Sequence, residues 1–362
     1  MATHFHQLEV KDIRKETAAC ISVSFVVPPH LKTVFAFTQG QNITIKAIID
    51  GEELRRSYSV CSSPLDDELR IAVKKVTDGK FSSWAGKHLK KGSFIDVLPP
   101  TGKFFTGLHA DNKKNYVAFA AGSGITPLLS IIKTTLATEP DSSFTLVYGN
   151  KNRASIIFKE ELEAVKNKFI NRFSVHHILS REKTETPLNQ GRIDAAKCES
   201  IFHHLIDIKT CDEFFLCGPE AMIFCVKDYL EEKGIEKNKI HFELFTVPGQ
   251  NKSGSHSQAP EMKNVFEGKL SNVTIKLDGI AFDFNLPYNG EAILDAALKL
   301  GADLPFACKG GVCATCRAKL VTGEVVMDNN YALEPEEIKN GYILTCQSHP
   351  RSEKIIIDFD QR

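Results

Sequence analysis

The sequence predicts three modules: an antiparallel β-barrel over residues 1–110, an α/β domain with a parallel sheet over 111–246, and a small α+β unit over 265–362, joined to the rest by a flexible stretch at 247–264. Three observations support this division. At 362 residues the chain is longer than one hydrophobic core normally serves. Its first hundred residues hold β-rich runs, after which strand-like and helix-like runs alternate. A stretch rich in Gly, Ser, Pro and Gln then breaks the rhythm before the C-terminal unit.

The barrel rests on "ISVSFVV" (21–27), "NITIKAII" (42–49), "RIAVKKV" (70–76) and "SFIDVLP" (93–99). These runs are β-rich and mostly alternate in polarity, which suits half-buried antiparallel strands separated by Gly, Pro, Asp and Ser clusters. In the second module "YVAFAA" runs into Gly122 and Gly124 and then the helical "TPLLSIIKTTLA". "FTLVY" (144–148), a helix around 157–168, "FSVHHILS" (173–180) and "EFFLC" (213–217) follow, the last entering the helix "PEAMIFCVKDYLEEKG"; "IHFELF" (240–245) closes the domain. Such alternation implies a parallel sheet with crossover connections. "TVPGQNKSGSHSQAPEMKN" (246–264) lacks periodicity, and about fifteen residues of this kind span roughly 20 Å, enough to let one domain swing over another. In the last module Asp278-Gly279 is a two-residue hairpin turn within "NVTIKLDGIAFDFNL". "NGEAILDAALKLG" places Ile293, Ala296, Ala297 and Leu300 on one helical face, with Gly301 set to end the helix.

Lysine plus arginine and aspartate plus glutamate number 45 each, which argues against bulk attraction to nucleic acid or anionic membrane. No apolar run reaches the length of a membrane-spanning helix, and "MATHFHQLEVKDIRKE" lacks the apolar core of a secretory signal. A cytoplasmic, reducing setting is expected, with the ten cysteines as thiols or metal ligands.

Cys308, Cys313 and Cys316 form C-x4-C-x2-C, and Cys346 follows after 29 intervening residues. Four thiolates so spaced match plant-type ligation of a [2Fe-2S] cluster, and the small residues of "KGGVCATC" let a loop wrap tightly while turning N–H groups toward sulfur. Structural zinc and cysteines that merely pack are the competing readings, although zinc sites usually pair close cysteines at both ends. Cys20, Cys61, Cys198, Cys211 and Cys225 are expected to pack as thiols.

Gly122 and Gly124, between a strand and a helix, permit close approach of a pyrophosphate to the helix N-terminus, where Thr126 is placed to cap and Pro127 to occupy the first turn. On its own this is also an ordinary strand–turn–helix. Cys217, Gly218 and Pro219 stand at the end of another strand, and ligands of open α/β sheets bind at such carboxyl ends. After the second strand, "YGNKNRASIIF" carries Lys151 and Arg153 and no acid until Glu160, which favours a dinucleotide with a 2′-phosphate; solvated loop cations are the alternative. In "RRSYSV", Arg56 and Tyr58 alternate onto one face of an extended strand, and Gly79, Ser82 and Ser83 are small groups suited to a phosphate. Taken singly, such a pair is usually surface decoration.

Together these segments resemble the ferredoxin–NADP reductase superfamily, in its oxygenase-reductase form with a C-terminal plant-type ferredoxin domain of β-grasp fold over 265–362. The resemblance implies FAD in the barrel, preferred by analogy to FMN, NADPH in the α/β domain with NADH less favoured, and a [2Fe-2S] cluster held by Cys308, Cys313, Cys316 and Cys346. It implies that Arg56 binds the flavin pyrophosphate, Tyr58 packs on the isoalloxazine and Ser59 hydrogen-bonds near its reactive nitrogen. Val73, Gly79, Phe81, Ser82 and Ser83 would surround the flavin and its phosphates, Ser82 ahead of Ser83, with Glu243 and Phe245 of "FELF" across the ring. The turn at Cys217, Gly218 and Pro219 would border the nicotinamide, Cys217 positioning and not attacking. Ser59, Cys217 and Glu243 are thus the expected catalytic group, while Gly122, Gly124, Thr126, Pro127 and Arg153 complete the dinucleotide site.

A nicotinamide yields two electrons as hydride and the cluster accepts one, so a flavin, able to do both, belongs between them. Such a chain is an electron-transfer oxidoreductase whose partner is an oxygenase component. The segments "FHQLEVKDIRKETAACISVSFVVP", "RSYSVCSSP" and "VLPPTGKFF" resemble in particular the subgroup serving a di-iron oxygenase of phenylacetate catabolism that acts on the ring of a coenzyme A thioester. Other ring-hydroxylating or alkane-type oxygenases are the competing partners. A ferredoxin-type carrier without enzymatic activity and a colourless zinc-stapled binding module are the alternatives from other classes.

Overall fold

The computed structural model describes residues 4–245 and 268–361. They fall into two compact units, one of residues 6–54 and 58–244, the other of 268–361 together with 4–5, 55–57 and Phe245. The barrel and the α/β domain therefore share the first unit, and the linker expected at 247–264 lies outside the described residues.

The barrel strands are β1 (His6–Thr17), β2 (Cys20–Val26), β3 (Asn42–Ile49), β4 (Glu52–Ser59), β5 (Leu69–Lys74) and β6 (Phe94–Thr101), in the order β4-β3-β6-β1-β2-β5. An antiparallel bridge from Val60, just beyond β4, to Ile71 of β5 ties the two edges together. Inside, Leu8, Val10, Val23, Ile43, Ile45, Ile71 and Val97 are wholly buried. The short helix α1 (Lys80–His88) buries Phe81 and Ala85 against this core. All four expected strands are present, as β2, β3, β5 and β6, and two features differ. β1 has no counterpart in the predicted set because polar residues dominate "HQLEVKDIRKET". β5 is buried over five consecutive residues and does not alternate, because Ala72, with Cys20 and Cys61, packs against the α/β domain.

In the α/β domain a parallel sheet runs β11-β10-β7-β8-β9, from β7 (Asn115–Ala121), β8 (Ser143–Asn150), β9 (Phe173–Leu179), β10 (Glu213–Cys217) and β11 (Ile240–Glu243). Helices α2 (Ile125–Thr138), α3 (Lys159–Lys168), α4 (Ala195–His204) and α5 (Glu220–Glu232) supply the crossovers. Ala118, Phe119, Leu146, Val147, Phe215 and Leu216 are fully buried, as expected of a sheet covered on both faces. Strand order reverses between β7 and β10, the position at which such sheets open a binding crevice.

α2 also fastens this domain to the barrel. Ser130 Oγ donates to the Ser62 carbonyl at 2.6 Å, Ser63 Oγ and Thr134 Oγ1 lie 2.9 Å apart, and Lys133 Nζ bridges Asp66 at 2.6 Å and Glu161 at 2.7 Å.

The second unit is a five-stranded sheet, β13-β12-β18-β14-β16, from β12 (Leu270–Leu277), β13 (Ile280–Pro287), β14 (Arg317–Thr322), β16 (Tyr342–Leu344) and β18 (Lys354–Asp358); β15 (Val325–Met327) and β17 (Ser348–Pro350) pair separately. Asp278 and Gly279 both have positive φ (53° and 74°), as a type I′ hairpin turn demands. Helix α6 (Ile293–Lys299) buries Ile293, Leu294, Ala296 and Ala297 against the sheet, and α7 (Pro335–Lys339) follows later in the chain. Leu300, expected on the buried face, is 57% exposed: the helix has ended and Gly301 (φ 92°) turns the chain away. Among the described residues, no helix is long and apolar enough to cross a membrane.

Candidate functional site

The end of β4 lies beside the crevice. Arg56 is exposed on it, and the half-buried ring of Tyr58 lies 5.9 Å from the buried ring of Phe81 on α1. Val73 is buried in the same core. Gly79 is the N-cap of α1, so that helix offers its first amides beside the barrel wall. The Ser82 hydroxyl is committed within the loop: it accepts from the Val76 amide at 3.0 Å and sits 3.4 Å from the Gly79 carbonyl. Ser83 is the more open of the two serines.

Ser59 Oγ donates to Glu243 Oε2 at 2.9 Å across 184 residues of sequence. Glu243 in turn stands opposite Cys217 in the parallel β10–β11 register. The three residues expected to act together therefore meet at one point. Burial lifts the Glu243 carboxyl from 4.5 to about 7, the Ser59 hydrogen bond pulling the other way. Burial also pushes the Cys217 thiol well above its ordinary value, with the Glu243 charge adding to the effect, which favours the protonated thiol. Phe245, two residues beyond Glu243, is 40% exposed.

On the facing turn, a Cβ at Gly124 would stand 1.9 Å from the Cys217 carbonyl oxygen, so only glycine lets β7 and β10 end this close. Thr126 is not the helix cap. Gly124 holds that position, and Thr126, already inside α2 with Pro127, donates to the Ser123 carbonyl at 3.0 Å. Gly218 packs against Ala121 and Met222, and Pro219 caps α5. Two features escaped sequence reasoning. The Lys74 ammonium, from the barrel, lies 2.8 Å from where a Gly122 Cβ would be, over the Gly122–Gly124 turn. Glu182 holds Arg153, through its backbone amide at 2.8 Å and its Nε at 3.3 Å. Arg153, Ile156, His177, Leu179, Thr184 and Asn189 line a cleft of about 420 Å³ there.

In the second unit the thiols of Cys308 and Cys313 face each other, as do those of Cys316 and Cys346. The Cys308 thiol is drawn below its ordinary value by Cys313 first, then by the amides of Gly310, Val312 and Cys313. Among the described residues, no three His, Cys, Asp or Glu converge as ligands of a single ion. Two facing thiol pairs under a canopy of amides suit a cluster of two irons, each taking two thiolates, better than one tetrahedral zinc.

Three family models match the chain in order: oxidoreductase FAD-binding domain over residues 7–106, oxidoreductase NAD-binding domain over 119–228, and 2Fe-2S iron-sulfur cluster binding domain over 275–351. The chain is 42% identical, over 99% of both chains, to one of the subunits of the 1,2-phenylacetyl-CoA epoxidase of Escherichia coli (strain K12). It is 34% identical to the ferredoxin reductase component of 3-ketosteroid-9-alpha-monooxygenase of Rhodococcus rhodochrous, over 97% of this chain and 96% of that one. Among solved structures, phthalate dioxygenase reductase matches over 98% of each chain with a TM-score of 0.58 and 23% identity, a likeness of fold.

Proposed function

Because the chain belongs to the FAD-, NAD- and [2Fe-2S]-binding reductase components of oxygenase systems, we propose that its electron source is NADPH and its acceptor a di-iron oxygenase that epoxidises the ring of an arylacetyl-coenzyme A thioester, phenylacetyl-CoA in the first instance. The observation that carries the choice of acceptor is identity of 42% sustained end to end with the epoxidase subunit of Escherichia coli. A flavin held in the barrel would supply the conversion of a two-electron hydride into single electrons that a [2Fe-2S] cluster can take.

The chain's own residues orient and exclude. Arg56 and the first amides of α1 hold the flavin phosphates, and Tyr58 covers the ring. Ser59 supplies a hydrogen bond and Glu243 a proton reserve at the ring edge, while Cys217 fills the space behind the nicotinamide without reacting. Gly122 and Gly124 admit the dinucleotide pyrophosphate, with Lys74 above it. Lys151 and Arg153 favour a 2′-phosphate. One observation supports NADH instead: Glu182 sits at the same loop, and a carboxylate there would accept from a ribose 2′-hydroxyl.

Reconstitution tests both choices. With phenylacetyl-CoA epoxidase components and the thioester, NADPH should support coupled product formation that other oxygenases do not match. Product at equal rates with an unrelated ring-hydroxylating oxygenase removes the assigned acceptor. Equal flavin reduction by NADH and NADPH removes the nucleotide preference.

A further inference from the structure

We propose that Gln347, the residue after the fourth cysteine, sets the reduction potential of the cluster by locking the backbone canopy over its sulfurs. The inference rests on the cluster alone, whichever nucleotide or oxygenase the chain uses. Gln347 is 8% exposed and spans the two cysteine segments. Its Nε2 donates to the Lys309 carbonyl at 3.0 Å and to the Cys346 carbonyl at 2.8 Å. Its Oε1 accepts from Asn329 Nδ2 at 3.1 Å, so both ends of the amide are engaged.

What this clamp holds is conformationally costly. Lys309 has φ 52°, a left-handed conformation that a side chain with a Cβ seldom adopts, and its carbonyl is the one Gln347 grips. That conformation turns the Gly310 amide onto Cys308 Sγ at 3.4 Å, and the next amide, of Gly311, faces Cys346. Gly311 itself is pinned, since a Cβ there would lie 2.8 Å from the Asn329 carbonyl oxygen and 3.2 Å from Gln347 Cγ. Amide N–H groups aimed at cluster sulfurs favour the more negatively charged, reduced state and so raise the potential. Releasing Lys309 lets both amides turn away, and the potential falls. Gln347 thus acts chiefly as a positioning residue, through the backbone it holds, and its side-chain amide also reaches the Cys346 thiol.

The test uses the full chain carrying flavin and cluster. Gln347→Met keeps length and volume but removes both donors and the acceptor. The expected result is a roughly tenfold shift of the one-electron equilibrium toward the oxidised cluster, a fall of about 59 mV. It is read by an anaerobic redox titration followed by electron paramagnetic resonance, with the flavin potentials of the same sample unchanged. Asn329→Ala, which removes only the donor to Oε1, should lower the potential in the same direction by less. A fully loaded Gln347→Met protein at the wild-type potential, or above it, overturns the inference. Should that variant load no cluster, an unchanged potential in Asn329→Ala overturns it. Loss of the cluster from both variants, with the unit still folded, assigns Gln347 to assembly and overturns it equally.

Discussion

Replacing Glu243 by glutamine removes a carboxyl whose ionisation the fold resists, while leaving a group that can still hydrogen-bond Ser59. Burial raises this carboxyl from 4.5 to about 7. The folded chain then keeps a proton that the unfolded chain has already released, so stability falls as pH rises from about 4.5 to 7 and stays low above. At 1.36 kcal/mol per unit, the shift corresponds to about 3 kcal/mol in full, of which about 2 kcal/mol at most separates pH 5.5 from pH 8.5. Urea unfolding can measure this through Trp84, the chain's only tryptophan, which lies on α1 within the barrel. With a slope of roughly 1–3 kcal/mol per M, the wild-type midpoint should drop by about 1 M between the two pH values beyond the drop seen in Glu243→Gln. Parallel pH dependences in wild type and variant would refute the assignment of a raised carboxyl at this position. The same group should appear as a limb near neutral pH in the rate of flavin reduction, absent from the variant.

Cys313→Ser should abolish electron transfer to a one-electron protein acceptor while flavin reduction by nucleotide, followed by stopped-flow absorbance, persists. Loss of both would mean that the modules do not work separately. Gly124→Ala forces a Cβ against the Cys217 carbonyl, an overpacking of roughly 1–3 kcal/mol, and should lower kcat/KM for the nucleotide by tenfold or more at unchanged flavin content. Glu182→Gln removes a negative charge beside Arg153 and should raise the NADPH-over-NADH ratio of kcat/KM by roughly fivefold, the effect of about 1 kcal/mol between charges at contact in water. A fall in that ratio would show that Glu182 serves Arg153 as an indispensable support.

How much of this could be read from the chain depended on how local each signal was. The cysteine spacing, the Asp278-Gly279 turn and the glycines ending β7 are short-range patterns whose physical demands are met by a few neighbouring residues. β1 was invisible because its barrel-facing residues, Leu8 and Val10, are outnumbered by polar ones. The two-sided burial of β5 depends on a domain that begins well downstream, which no local alternation encodes. The same holds at the site. "RSYS" and "FELF" are recognisable separately, yet the Ser59–Glu243 hydrogen bond, the Glu182 grip on Arg153 and the placement of Lys74 over Gly122 arise only when distant segments fold together. Thr126 shows the converse, since a good capping residue is displaced when a preceding turn, Gly122–Gly124, starts the helix earlier.

The fastening of α2 to the barrel bears on how reductases of this kind can be recombined. Ser62, Ser63, Asp66, Ser130, Lys133 and Thr134 satisfy one another across the seam, so a crossover placed near residue 110 would hand each parent half a set of orphaned hydroxyls and charges. Grafts that exchange the first 244 residues as a block leave this seam intact, and are the natural cut for pairing one nucleotide-driven front end with another oxygenase's electron outlet.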